Sequence, residues 1–147
     1  IGSLEDYAVY EDIFLLTHGS PRDPDEYIVT NDIIKGSFKK LNEDFPGLPV
    51  CFFGHSHFPM VIGDGKVESK FHDTRSIKLN RDKTYLINPG SVGQPRDKNP
   101  KTSFGVFDTK RWKFTIVRLE YDFESTGKSI VNAGLDRGLA HRLTRGR

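Results

Sequence analysis

Cysteine is almost missing from these 147 residues: Cys51 stands alone. One thiol excludes an internal disulfide framework and fits a reducing compartment, so a cytoplasmic protein is expected. Between Val50 and Phe52, Cys51 reads as a small apolar strand residue and not as a nucleophile. Long apolar runs are missing too. None approaches the roughly 20 residues needed to cross a bilayer, which excludes a spanning helix. No basic segment followed by an apolar stretch opens the chain, and Ile1 is not a natural start. No internal repeat, low-complexity tract or Ser/Gly/Pro linker divides it. A large charge excess is also lacking. The net charge of +2 comes from the tail, where Arg137, Arg142, Arg145 and Arg147 face only Asp136. The other 135 residues carry 18 basic and 19 acidic side chains, a balance of −1. Four arginines on a terminal helix read as a solvated face, so neither nucleic acid nor a membrane is an expected partner.

What is present is a chain of 16.7 kDa with 35% hydrophobic residues, 29% charged residues and a mean hydropathy of −0.53, enough for one compact domain with a core. Ile13 to Leu16 is a short apolar run that stops at Thr17-His18-Gly19-Ser20-Pro21, the pattern of a buried strand ending in a loop. Ile34, Phe38, Leu41 and Phe45 recur at helical spacing, which predicts a helix over 31–45 with Thr30 or Asn31 as N-cap and Pro46-Gly47 as stop. Val50 to Phe53 is a second buried strand, released at Gly54-His55-Ser56-His57. Asp64-Gly65 between Val61-Ile62 and Lys66-Val67 predicts a tight hairpin. Thr84 to Ile87 reads as a strand broken by Asn88-Pro89-Gly90-Ser91. Phe104 to Phe107 and Lys113 to Tyr121 read as an antiparallel pair, and two short helices, about 126–133 and 136–144, divide at Gly134. The class is therefore mixed α/β, with parallel strands feeding loops at their C-terminal ends.

Three of the five histidines stand immediately after buried strands: His18 after the first, His55 and His57 after the second. In an extended segment, residues i and i+2 project to one side, so His55 and His57 are expected to aim into one cleft. If the two strands are parallel neighbours, His18 arrives at the same edge. Neutral imidazoles beside glycines suit zinc, iron, nickel, manganese or copper. His72, in a polar stretch, and His141, on the terminal helix, read as solvent or packing residues.

Thr17-His18-Gly19-Ser20-Pro21-Arg22-Asp23-Pro24, then Gly54-His55-Ser56-His57, then Asn88-Pro89-Gly90-Ser91-Val92-Gly93-Gln94-Pro95-Arg96-Asp97 resembles the calcineurin-like metallophosphoesterase family, above all its small prokaryotic phosphodiesterase-type members. The resemblance runs from about Asp12 onward and includes the Leu135 to Arg147 tail. It implies part of an α/β/β/α sandwich with mixed parallel and antiparallel strands and flanking helices. It also implies two divalent metal ions (Mn, Fe, Ni or Zn), with His18 and His55 on one and His57 on the other. The activity implied is hydrolysis of a phosphate ester, by a phosphodiesterase or a phosphomonoesterase, through in-line attack of a metal-bound hydroxide. Ser91 and Arg96 are the implied substrate-phosphate contacts, since a guanidinium pairs bidentately with phosphate oxygens. The structural alternative is that Asn88-Pro89-Gly90 is only a turn and that Arg96 pairs with Asp97.

The family pattern opens with Asp-x-His, then Gly-Asp bearing the bridging carboxylate, then Gly-Asn-His bearing a metal-binding Asn and the acidic His. Neither Asp-x-His nor Asn-His occurs here, and the one Gly-Asp, Gly63-Asp64, follows the His-x-His motif and reads as the hairpin turn. Residues 1–147 are thus expected to form the C-terminal part of a single metallophosphoesterase domain. That part would lack the catalytic His and be inactive alone, and the face normally covered by the remainder would be left exposed or would drive self-association. The alternative function is a non-catalytic scaffold of the same fold that binds a protein partner.

Overall fold

In the computed structural model, which describes residues 5–147, the chain runs β1 (Tyr7–Tyr10), β2 (Phe14–Thr17), α1 (Asn31–Asp44), β3 (Val50–Phe52), β4 (Met60–Gly63), β5 (Lys66–Lys70) and β6 (Arg75–Lys78). It continues through β7 (Tyr85–Asn88), β8 (Thr102–Asp108), β9 (Lys113–Leu119), α2 (Phe123–Asn132) and α3 (Arg137–Arg145). Ile1, which carries the unnatural start, lies outside the described residues.

The apolar runs pair as their composition requires. β2, β3 and β7 are parallel neighbours, with Leu15 opposite Cys51 and Cys51 opposite Leu86. β3 and β7 are covered on both faces and so need apolar side chains at every position; β2 is buried only through Leu15, with Leu16 exposed, so the expected fully buried first strand is half-buried. Leu15, Cys51, Phe53, Met60, Ile62 and Leu86 pack beneath α1, which contributes Ile34, Phe38 and Leu41 from one helical face. The alternate residues Val50, Val61, Tyr85 and Ile87 face the other way, onto Phe71, Trp112, Phe114 and Ile116. The first sheet has the order β1-β2-β3-β7-β4-β5, and the second, wholly antiparallel, has the order β6-β9-β8. Helix, six-stranded sheet and three-stranded sheet thus form successive layers.

Local chemistry sets the ends. Thr30 caps α1 by accepting from the Ile33 N–H at 3.4 Å, and the helix closes with the Phe45 N–H on the Leu41 carbonyl at 3.0 Å. Asp64 (φ 46°) and Gly65 (φ 81°) make the hairpin turn between β4 and β5. α2 begins three residues earlier than its periodicity suggests, because Asp122 caps it through the Ser125 N–H at 2.9 Å. Two strands lack a sequence signal. β1 folds back on β2 through Glu11 and Asp12, both left-handed (φ 48° and 53°) without the usual Asn or Gly. β6 is a polar edge strand, Arg75-Ser76-Ile77-Lys78, held by its ladder to β9. Tyr7, Val9, Tyr10 and Leu16 on the β1–β2 hairpin, and Phe104 and Val106 on β8, are exposed apolar residues at open sheet edges.

Asp97 and Arg118 form a buried ion pair, and Arg118 also donates to the carbonyls of Phe71 and Lys101. This pair ties the loop after β7 to the second sheet. No helix among the described residues is long and apolar enough to cross a membrane.

Two outcomes follow. Arg118→Ala strands a buried carboxylate and should cost about 3–5 kcal/mol in urea denaturation, whereas a loss under 1 kcal/mol would mean that Asp97 finds water. Burial pushes the Cys51 thiol up to about 12, against a weaker opposing contact from Thr17. A pKa raised in the folded state favours folding at lower pH, so this thiol's contribution erodes as pH rises from about 8.5 toward that value. Iodoacetamide should therefore spare Cys51 in the native protein and alkylate it only in denaturant, as read by mass spectrometry.

Candidate functional site

β2 and β3 end side by side, and the pairing persists beyond the strands: the Gly54 N–H donates to the His18 carbonyl at 2.8 Å. His18 and His55 are thereby brought together, with His18 Nε2 3.1 Å from His55 Nδ1 and the rings edge to face. The His-x-His segment is not extended, which corrects the i, i+2 expectation. His55 and His57 both have φ 56°, a left-handed conformation that β-carbon crowding disfavours. What holds them there is Asn88 at the end of β7. Its buried side-chain amide donates to the Gly54 carbonyl at 2.7 Å and to Ser56 Oγ at 3.0 Å, and its Oδ1 accepts from the Gly90 N–H at 2.8 Å.

His57 is oriented separately. Its Nδ1 lies 2.7 Å from the Gln94 carbonyl, and only a protonated Nδ1 can donate to that oxygen, so Nε2 keeps its lone pair. Burial, above all, holds the His57 pKa below the usual imidazole value; the carbonyl contact opposes this, and the Arg96 charge adds to it. The imidazole is therefore poised neutral, the form that ligates metals.

The loop after β7 wraps around this ring. Ser91 Oγ accepts from the Gln94 N–H at 2.9 Å and the Gly93 N–H at 3.3 Å, which stiffens the turn. Arg96 donates through Nε and Nη2 to Gln94 Oε1 (3.1 and 3.0 Å) and through Nη1 to the Tyr27 hydroxyl at 3.1 Å. It does not pair with Asp97, which is turned inward to Arg118; the structural partners of Arg96 are Gln94 and Tyr27 instead. Tyr27 also lies over His55, with ring centroids 3.9 Å apart. His72 and His141 are exposed and away from this cluster.

The motif reading missed Asn88, Gln94 and Tyr27 as contributors. Asn88 was hidden in a turn signature, Gln94 acts partly through its backbone, and Tyr27 lies nine residues beyond His18. No sequence signal marks Tyr27; its placement follows from the burial of its neighbour Ile28 in the core.

The donor set fits a divalent metal in part. Two nitrogens each about 2.0–2.1 Å from one cation stand roughly 2.9 Å apart at a right angle and roughly 3.4 Å apart at the tetrahedral angle. The 3.1 Å between His18 and His55 falls in that interval, though it also suits a hydrogen bond between the rings. Among the described residues, no three His, Cys, Asp or Glu side chains converge on one point, so these histidines do not complete a metal site by themselves.

The family comparison matches residues 3–111 to the calcineurin-like phosphoesterase superfamily domain. The uncharacterized protein MJ0912 of Methanocaldococcus jannaschii is 38% identical over 135 residues, covering 90% of this chain and 51% of that protein. A metallophosphoesterase from Sphaerobacter thermophilus superposes with a TM-score of 0.89 at 32% identity, covering 99% of this chain and 61% of that one. The hypothetical protein PH1004 from Pyrococcus horikoshii OT3 shares the fold, with a TM-score of 0.71 at 18% identity over 99% of this chain and 52% of its own. This chain spans about half the length of the curated relative it matches.

Asn88→Ala removes three hydrogen bonds from a buried position and should cost about 2–3 kcal/mol in urea denaturation, together with shifted His18 and His55 imidazole resonances in NMR. Unchanged resonances would show that the left-handed loop stands without the amide.

Proposed function

Because the chain belongs to the calcineurin-like phosphoesterase superfamily, we propose that it carries the three-histidine part of a phosphoesterase centre, in which His18 and His55 hold one divalent metal and His57 the other. The observation that supports this most is the meeting of His18 and His55 at the ends of two parallel strands, with His57 beside them turned by the Gln94 carbonyl. Bound there, divalent metals supply Lewis acidity, lowering the pKa of an attacking water and offsetting the charge of the phosphoryl oxygens.

This chain's residues do the rest. Asn88 fixes the loop that carries His55, so both imidazoles are presented without rearrangement. The Gln94 carbonyl holds the proton of His57 on Nδ1 and leaves Nε2 as donor. Arg96, with two N–H groups uncommitted to Gln94 or Tyr27, binds the ester's phosphoryl oxygens, and the free Ser91 O–H can donate beside it.

Two adjacent dications repel, and neutral imidazoles do nothing to offset that repulsion; bridging carboxylates are required. We assign them to a segment outside residues 1–147, making this chain the C-terminal part of one domain. The same segment would cover the open apolar edges of β1–β2 and β8 in place of self-association. The single buried thiol is consistent with work in the cytoplasm.

The full-length protein with Mn²⁺ should hydrolyse bis-p-nitrophenyl phosphate or p-nitrophenyl phosphate, the preference assigning diesterase or monoesterase. His55→Ala and His57→Ala should each lower kcat by at least about 100-fold. Turnover that survives both substitutions unchanged would sink the assignment of these histidines to the metals. Residues 1–147 alone should show little turnover and weak, non-stoichiometric metal uptake; tight binding of two metals would overturn the partition.

A further inference from the structure

Arg96 and Arg118 sit on either side of Asp97, one by sequence and one by contact, and only Arg118 takes the carboxylate. Arg96 makes no ion pair among the described residues; its three hydrogen bonds all go to neutral acceptors, Gln94 Oε1 and the Tyr27 hydroxyl. A guanidinium held by neutral groups keeps its full charge for a ligand. Two of its five N–H groups remain.

Tyr27 is built into this arrangement. The strap from His18 to Ile28 is bonded to itself: Ser20 Oγ accepts from the Arg22 and Asp23 N–H groups and donates to Glu26 Oε2, while Arg22 pairs with Glu26 Oε1. Gly19 has no space for a β-carbon, which would stand 2.5 Å from the Pro24 carbonyl, so the strap closes tightly. Ile28 plugs the core, and Tyr27 is left outside, 41% exposed, over His55. Its oxygen accepts from Arg96, and its own O–H proton has no acceptor among the described residues.

We propose that Tyr27 is a binding residue for the anionic group of the substrate, forming with Arg96 a cradle for a tetrahedral phosphoryl group beside the histidines. The phenol braces the guanidinium and offers its O–H to an oxygen of the same phosphoryl group that the free Arg96 N–H groups hold. Ring contact with His55 places that group next to the imidazoles. The inference rests on the phosphoesterase reading for its location, and it can be tested apart from it.

Full-length wild type, Tyr27→Phe, Arg96→Met and the double variant are titrated with inorganic phosphate by calorimetry, with and without Mn²⁺. They are also assayed on bis-p-nitrophenyl phosphate, and bound Mn²⁺ is counted by elemental analysis. Tyr27→Phe should weaken phosphate binding about tenfold and raise KM by a similar factor. Over the same comparison kcat should move less than about threefold, with bound Mn²⁺ unchanged. In the Arg96→Met background the same change should add less than about twofold, because the phenol acts with the guanidinium. Unchanged phosphate affinity in Tyr27→Phe, or a full effect that persists without Arg96, overturns the cradle. Loss of Mn²⁺ in Tyr27→Phe also overturns it, by reducing Tyr27 to a support for His55. Phosphate binding with the expected variant effects but without Mn²⁺-dependent turnover would sink the phosphoesterase reading and leave the cradle standing.

Discussion

The parallel pairing of β2 with β3 is the constraint on which the rest of the site depends. Parallel strands end at the same edge, so two loops that are 37 residues apart in sequence emerge within hydrogen-bond distance of each other. The Gly54 N–H to His18 carbonyl bond carries the ladder one step past the strands and makes the histidine contact a consequence of the sheet. The pairing is in turn secured by burial: Leu15, Val50 and Cys51 are wholly inaccessible, and each faces one of two separate cores. A one-residue slip would exchange the two cores' side chains and separate the histidines. Register, core and site are one decision.

The edge of the sheet also concentrates cost. Two histidines with left-handed backbone are expensive, on the order of 1–3 kcal/mol each, and they persist because Asn88 and Gln94 bond the loop from the side of β7. The partners come from the last residue of the third parallel strand and from the loop after it, so the same chain segment that orients the imidazoles also carries Arg96. That segment is anchored at its far end by the buried Asp97–Arg118 pair. A buried pair of this kind contributes little net stability, but breaking it is severe. Its value here is positional: it removes the nearest carboxylate from Arg96 and fixes where the loop ends.

Much of this was legible beforehand because it follows from periodicity and composition. The unbroken runs at Phe14 and Val50 marked two parallel strands, the first of them only half-buried, Ile34, Phe38 and Leu41 marked a helix covering them, and the histidines directly after the runs marked the edge at which they meet. Illegible were the features set by tertiary contact. β1 turns on Glu11 and Asp12, residues with weak turn preference, and β6 is an edge strand whose polar composition carries no alternation. The His-x-His segment looked extended because nothing local signals a left-handed histidine; the amide that imposes it comes from a residue 31 positions beyond His57. Tyr27 was invisible for a related reason. Its role depends on Ile28 being buried and on Arg96 being free, and neither is a property of the strap alone.

The electrostatics of the edge divide its tasks. Within residues 5–147 the side chains that bond or stack at this edge are imidazoles, amides, a phenol and a guanidinium that makes no ion pair among the described residues. Such a field attracts an anion and supplies nothing that offsets the repulsion between two adjacent cations. Imidazoles contribute lone pairs without charge, and two divalent ions held a few ångströms apart need several negative ligands to offset their repulsion. The turning of Asp97 into the core makes the asymmetry sharper, since the one carboxylate adjacent to Arg96 in sequence is committed elsewhere. Among the described residues no carboxylate joins His18, His55 and His57.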